Sequence, residues 1–377
     1  MIAIVLAEGE YIAASVIYCL YKCGVNSLVI GSESVSSLVL LKGCQKFLSF
    51  KHGTYTSYPM ELIDLINFIA YKYKPLIVIP TGSVSVQFLS SYKDHISITV
   101  FPVPSMDMFD NLNNKWKFSQ LLKRIGLPQP DTYLLEESFS LDEVEFPLPL
   151  VSKQLCGRSG EDIYYLNNKE SLLTFLKCND KKLFPMILQE YIPGYDIDLS
   201  VLSLDGQIIA WTIQRWKEPG VLQFVKEMDI LRLGQQLIHE IKFSGVAHFD
   251  LRYDKRDSCF KFIECNPRFW GSLKASCCCG VNFPYIGLQY VLRFLPNTSL
   301  NQNSPQDTLW MTFSGLLRSF KSWDGCRKIT VPAVRSSLRE IGELWFINYK
   351  IKNYIPKISL MLVSLYNKWV KKIDAQQ

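Results

Sequence analysis

Residues 245–272 read GVAHFDLRYDKRDSCFKFIECNPRFWGS. The first nine alternate as a strand does, with Val246, His248, Asp250 and Arg252 on one face and Ala247, Phe249 and Leu251 on the other. Residues 254–258 (DKRDS) supply turn chemistry. The return strand, 259–266, is expected to place Phe260, Phe262, Glu264 and Asn266 on one side. With the turn at 255–257, Asp250 lies opposite Phe262 and diagonal to Glu264, within reach of long side chains. Asp250, Glu264 and Asn266 then converge as two carboxylates and one amide, an oxygen set that suits a hard cation such as Mg²⁺. Arg252 and Arg268 flank the cluster with guanidinium groups suited to phosphate oxygens. A surface hairpin with solvated charges is the competing reading. Against it, ECNPRFWGS crowds a carboxylate, an amide, a proline, an arginine and a large aromatic into a few positions, which folding alone does not require.

The chain has 377 residues, more than one ordinary core, and 48% apolar against 20% charged residues, which describes a globular protein. Its net charge of +6 is dispersed, so no nucleic-acid partner is expected. A phosphate-bearing substrate accounts for the surplus equally well. Eleven cysteines occur without paired CxxC motifs, which argues against structural zinc and for a reducing cytoplasm. The start, MIAIVLAEGE, is an apolar run of seven broken by Glu8, a strand and not a signal peptide. No stretch is apolar for long enough to span a bilayer.

Residues 1–7, 25–30 and 75–80 read as buried strands and 11–23 and 60–73 as helices, a doubly wound α/β unit through about residue 104. Ligands of such sheets sit beyond the strands' carboxyl ends, here near residues 8–10 and 81–83, although GxGxxG is absent. Residues 101–108 read as a linker, and Asn113 or Asn114 caps a helix that runs to about Ile125. Lys115 falls in its first turn, where a lysine opposes the helix dipole. PLPLVSKQLCGRSG (147–160) sets Lys153 on a strand just before a glycine-containing turn, an arrangement suited to ATP phosphates. MILQEYIPGYDIDLSVL (186–202) reads strand, turn, strand, a segment whose backbone can hold adenine while Glu190 or Asp196 accepts ribose hydroxyls. Residues 226–242 form a core helix, 273–295 a helix pair and 300–309 a polar linker. The basic, apolar stretch 349–372 either lies on an anionic membrane surface or docks on its own chain or a second copy, which leaves a homodimer open.

These stations, in this order, resemble the ATP-grasp superfamily over residues 1 to 295, and NPRFWGS is similar to a branch near carbamoyl-phosphate-synthetase-like ligases. The resemblance implies an α/β and α+β chain. It comprises a Rossmann-like N-terminal (pre-ATP-grasp) domain over 1–104, a two-lobed ATP-grasp module over 105–299 and a mainly helical C-terminal extension over 300–377. It implies ATP bound by Lys115, Lys153, the turn of Gly157, Ser159 and Gly160, the hinge of Gln189, Glu190 and Ile192, and Asp196 at the ribose. Asp250, Glu264 and Asn266 are implied as ligands of two Mg²⁺ ions, with Mn²⁺ a substitute, and Arg268, Lys153 and Arg252 as catalytic residues. Gln154 and Arg158 depart from the family pattern, as does Asn114 before the first lysine. The implied activity joins a small-molecule carboxylate to an amine through an acyl phosphate. A small-molecule kinase and a non-catalytic, membrane- or partner-associated ATP-binding module are the alternatives. Arg215 and Lys217 are further candidates for holding acceptor or phosphate.

Overall fold

The computed structural model describes residues 1–50, 54–136, 147–157, 163–178, 184–218, 220–293 and 308–311. The first sheet grows from β1 (Ile2–Ala7), whose six residues are apolar throughout and therefore bury both faces. Ala3, Val5 and Ala7 pack toward α1 (Glu10–Tyr21). Ile4 and Leu6 pack on the opposite side. With β2 (Asn26–Gly31), β3 (Cys44–Ser49), β4 (Ile77–Pro80) and β5 (Thr99–Val100), it forms an all-parallel sheet in the order β3-β2-β1-β4-β5. Between these strands run α2 (Thr54–Ser57), α3 (Pro59–Tyr73) and α4 (Ser83–Tyr92), with α3 and α4 covering the Ile4 and Leu6 face. The sequence reading missed β3 and β5. β3 is an edge strand in which only Cys44 is fully buried, and β5 is two residues long, so neither carries an apolar run.

The stretch expected as a linker, 101–108, ends in a helix. α5 (Met106–Asn113) starts at Ser105, whose hydroxyl accepts from Met108 N at 3.3 Å. α6 (Lys115–Ile125) follows at once. Asn114 Oδ1 accepts from Trp116 N and Lys117 N at 3.0 and 3.1 Å, and Gly126 closes the helix in the left-handed region at φ 77°.

A second, antiparallel sheet holds β6 (Thr132–Leu135), β7 (Leu150–Gln154), β8 (Tyr164–Leu166) and β9 (Met186–Glu190) in the order β6-β9-β7-β8. Leu135, Leu150 and Leu188 pack beneath α7 (Lys169–Cys178). The third sheet contains β10 (Gly194–Leu204), β11 (Gln207–Glu218), β12 (Val221–Val225), β13 (Gly245–Asp254), β14 (Cys259–Asn266) and β15 (Thr308–Met311), in the order β14-β13-β10-β11-β12-β15. One face is closed by α6 and α8 (Met228–Glu240) through Phe118, Leu122, Ile230 and Leu237. α9 (Leu273–Cys278) and α10 (Phe283–Val291) follow the hairpin. Of the linker expected over 300–309, residues 308–309 instead open β15, where Thr308 and Trp310 pair with Phe224 and Leu222, and 300–307 lie outside the described residues. The rest of the expected helical extension, including residues 349–372, lies outside the described residues.

The deciding hairpin forms with one change of register. Leu251 pairs with Phe262, but Asp250 pairs with Glu264, so Ile263 is an extra residue in β14. Phe260 and Phe262 consequently face the core, while Glu264 and Asn266 face the opposite side. The expectation of one shared face for all four is corrected by this bulge, which falls where Phe262 N donates to Pro128 O at 3.0 Å. The hairpin's turn is fastened by Asp254, fully buried on β13. Its carboxylate accepts from Arg256 N and Nε, both at 2.9 Å, from Arg256 Nη2 at 2.6 Å and from Lys261 Nζ at 2.7 Å. The Arg256 bonds, opposed by burial and joined by Lys261, hold the carboxyl well below the ordinary carboxylate range. The depressed value means that this stability is present above the unfolded-state pKa and is lost as pH falls through the folded one. Asp254→Asn is expected to cost about 2 kcal/mol at neutral pH. In urea unfolding, the gap from wild type should narrow below about pH 4.

Candidate active site

A cavity of about 820 Å³ runs between the second and third sheets, lined by β7 and β9 on one side and by β10, β13 and β14 on the other. Its floor is a row of carboxylates. The bulge sets Glu264 directly opposite Asp250, and Asp250 stands opposite Asp198 of β10. Burial, then the charges of Asp198 and Glu264, push the Asp250 carboxyl well above the ordinary range. Burial, then Asp196, raises Asp198 to about 7. Burial also works upward on Glu264, but Lys115, a hydrogen bond from Asp250 and Lys153 outweigh it, and its pKa ends below the usual value. Asp198 was missed in the sequence. The available signal was period two from Asp196 within GYDIDLS, which puts both carboxylates on one strand face.

His248 belongs to the same cluster. Its Nε2 lies 3.3 Å from Asp250 Oδ1 and 3.9 Å from Asp198 Oδ2, its Nδ1 lies 2.9 Å from Ser200 Oγ, and its ring stacks on Trp270 at 5.5 Å. Burial, then Arg268, push the imidazole down to about 3, so these are contacts of a neutral ring and not ion pairs.

The two lysines read from the sequence come to the cluster from different elements. The α6 cap fixes Lys115, whose backbone N donates to Leu155 O at 2.9 Å and whose Nζ lies 3.3 Å from Glu264 Oε2. On β7, Leu150 and Ser152 point into the core while Val151 and Lys153 line the cavity. Lys153 Nζ donates to Gln189 Oε1 at 2.9 Å, and Gln189 Nε2 donates to Thr132 Oγ1 at 3.2 Å. Burial pulls the Lys153 ammonium down to about 8, with the Glu264 carboxylate resisting. Asn266 Oδ1 accepts from Arg268 Nη2 at 2.9 Å, and both residues line the cavity beside Asp250 and Glu264.

At the other end lies the turn between β9 and β10. Arg252, expected beside the phosphates with Arg268, is committed to this turn. It donates to Ile192 O at 2.6 Å and to Gly194 O at 3.2 Å, lies over the Tyr191 ring at 5.4 Å and pairs with Asp196. Two residues beyond Asp250 on β13, it stands one strand repeat further along, roughly 7 Å toward the turn. Glu190 is also engaged, by Arg256 Nη2 at 2.6 Å and Asp131 N at 3.3 Å, and Ile192 is buried. Gly194 is required here, since a Cβ would run into Tyr253 O. Gly157 is exposed at the end of β7, while Ser159 and Gly160 lie outside the described residues. Arg215 donates to Gln223 Oε1 at 3.1 Å and Lys217 is exposed, and neither lines the cavity.

The crevice expected beyond the first sheet, near residues 8–10 and 81–83, is filled by the chain itself. Glu8 N donates to Thr81 Oγ1 at 3.3 Å, and Glu8 Oε1 accepts from Ser85 N in the first turn of α4. A carboxylate thus already occupies that helix N-terminus. From this region only Tyr11 reaches the main cavity among the described residues.

Comparison with known proteins agrees with this geometry. Residues 182–312 match the family described as ATP-grasp in the biosynthetic pathway with Ter operon, and residues 112–222 match the RimK-like ATP-grasp domain. Both matches are to ATP-grasp domains, the superfamily that the motifs resemble. It is 25% identical to a D-aspartate ligase of Enterococcus faecium over 227 residues, which make up 52% of this chain and 54% of that one. It therefore spans about half the length of that relative. In fold it is similar to an L-amino acid ligase of Bacillus licheniformis (TM-score 0.62, 16% identity, 81% of this chain and 77% of that one). It is also similar to an N5-carboxyaminoimidazole ribonucleotide synthetase of Thermotoga maritima (TM-score 0.58, 15% identity, 81% and 78%). The described residues contain no helix long and apolar enough to cross a membrane.

The role of Arg252 is open to direct measurement. Arg252→Lys keeps the charge but not the planar fork that joins Asp196, two carbonyls and a ring. We expect a loss of about 2 kcal/mol in urea unfolding. An unchanged midpoint would show that these contacts do not hold the turn.

Proposed function

We propose that this chain is an ATP-dependent ligase that joins a carboxylate to an amine through an acyl phosphate. The observation that carries the reading is the facing pair Asp250 and Glu264 with Lys115 and Lys153 against it, since a fold has no need of two carboxylates in register on a cavity wall. The relatives' printed activities, D-aspartate ligase and L-amino acid ligase, support the reaction class.

The donor set of Asp250, Glu264 and Asn266 is all oxygen and shares one cavity wall, which fits Mg²⁺ or Mn²⁺. When bound, one or two such ions would offset negative charge on the β- and γ-phosphates. The chain's own groups do the rest. The β9–β10 turn, with Gln189, Glu190 and Ile192 held in place by Thr132, Arg256 and Arg252, would receive adenine, with Asp196 near the ribose. Lys115 and Lys153 would hold phosphate oxygens, and Lys153 depends on Gln189 for its aim. The substrate carboxylate attacks the γ-phosphorus, the β–γ bridging P–O bond breaks, and ADP leaves. Arg268 faces the charge that develops there. The amine then attacks the acyl carbon, the C–O bond to phosphate breaks, and the amine loses its proton. Residues 157–160 would close the site against water.

In this reading residues 1–104 form a Rossmann-like pre-ATP-grasp domain, supported by the parallel first sheet, and 105–299 the ATP-grasp module. Residues 300–377 form the extension, of which β15 is the described part. A reducing, cytoplasmic setting follows from the cysteine pattern alone.

The test is ADP release from Mg²⁺ and ATP with acid and amine pools, with hydroxylamine to trap the acyl phosphate. Asp250→Asn and Glu264→Ala should each lower release on the order of 100-fold or more. A near wild-type rate in either variant would overturn the metal assignment. Release with one compound alone and no trappable acyl group would indicate a kinase.

A further inference from the structure

The carboxylate row occupies only part of the third sheet's cavity-side face. Asp198 pairs with Gln214 of β11, and two residues further along the same face stands Trp216. Trp216 pairs with Leu222 of β12, and Leu222 pairs with Trp310 of β15. These three residues form an unbroken apolar row across three neighbouring strands, and all three line the cavity. Adjacent strands lie about 4.8 Å apart, so Leu222 stands roughly 10 Å across the sheet from the line of Asp198. That separation matches the length of one amino-acid-sized molecule.

The ends of the row differ in burial. Leu222 and Trp310 are 1% and 6% exposed, packed with Phe224 and with Ala275 of α9, and so form the base on which Trp216 is mounted. Trp216 is 53% exposed although it lines a cavity. An indole left that open on a cavity wall offers apolar area for a bound molecule to cover. The charge at this end has one sign. Lys274 of α9, with Nζ 5.1 Å from the Tyr18 ring, and Arg268, which donates to Asn266 Oδ1 at 2.9 Å, both line the cavity. Among the described residues, no acidic side chain of β11, β12, β15 or α9 lines the cavity.

We infer that the acid substrate carries one carboxylate on an aromatic or large aliphatic body, with the body against the open indole of Trp216 and the carboxylate met by the cations that line the same cavity, Lys274 and Arg268. This rests on the ligase reading and specifies its substrate class. A dicarboxylate would need a second cation where the sheet offers the open indole of Trp216.

The experiment measures ADP release by the full chain with Mg²⁺, ATP and hydroxylamine, using tryptophan, phenylalanine, leucine, alanine and aspartate singly, each as L and D forms. The expected order puts the aromatic and leucine acids at the lowest KM, with alanine and aspartate at least about tenfold higher. Trp216→Ala should raise KM for the aromatic acids about tenfold while kcat and the KM for ATP change little, and Trp216→Phe should restore most of the loss. Lys274→Met should raise KM for every acid. Preference for aspartate would overturn the substrate class and leave the ligase standing. Absence of release with any acid would overturn both. A Trp216→Ala variant whose melting temperature falls while KM is unchanged would show that the chain itself packs on the row.

Discussion

Two partly buried carboxylates held face to face on a cavity wall dominate this molecule. A pair of like charges about 4 Å apart costs on the order of 4 kcal/mol at the effective dielectric of a protein near its surface. Backbone pairing brings Asp250 and Glu264 to facing positions, so both side chains leave the sheet side by side. The chain answers with chemistry drawn from elsewhere. Lys115 is aimed by a helix cap, Lys153 by a strand and a glutamine, and Asp250 retains its proton more readily than an ordinary carboxyl. That balance is a resting arrangement. Exchange of a proton for a divalent cation, and of two lysine contacts for phosphate oxygens, would leave every charge still paired.

The surrounding structure keeps this cluster in register. Asp254 ties the hairpin's turn through Arg256 and Lys261, and Arg256 reaches on to Glu190 of the second sheet. Arg252 ties β13 to the carbonyls of the β9–β10 turn. One hairpin therefore carries the metal-suited side chains at one end and the struts of the turn at the other. The first sheet contributes little to the cavity directly. Its crevice is closed by Glu8, and its influence comes through Tyr11 and through α1 packed on α9.

Much of this was legible because the responsible signals are local. Apolar runs gave β1, β2 and β4, Asn114 and Gly126 bounded α6, and strand alternation placed Lys153 on the cavity side of β7. The composition of ECNPRFWGS singled out Glu264, Asn266 and Arg268 before any contact was known. What escaped depends on pairing between distant segments. The bulge at Ile263 comes from the fit of β14 against β13 and Pro128, which period-two counting cannot contain. Arg252 shares a face with Asp250, and only the three-dimensional structure shows its bonds to the carbonyls of the β9–β10 turn. β15 draws its stability from β12, and its own sequence offers a short polar-flanked stretch. Asp198 and His248 were hidden because their meaning lies in convergence with Asp250 from a neighbouring strand.

The measurement that bears most directly on the central claim is a crystal structure with Mn²⁺ and a non-hydrolysable ATP analogue, with the metal located by anomalous scattering. The account predicts a peak between Asp250 and Glu264, with Asn266 in reach and both Lys115 and Lys153 moved onto phosphate oxygens. A peak elsewhere, or nucleotide bound with Lys115 still on Glu264 and no metal between the carboxylates, would contradict it.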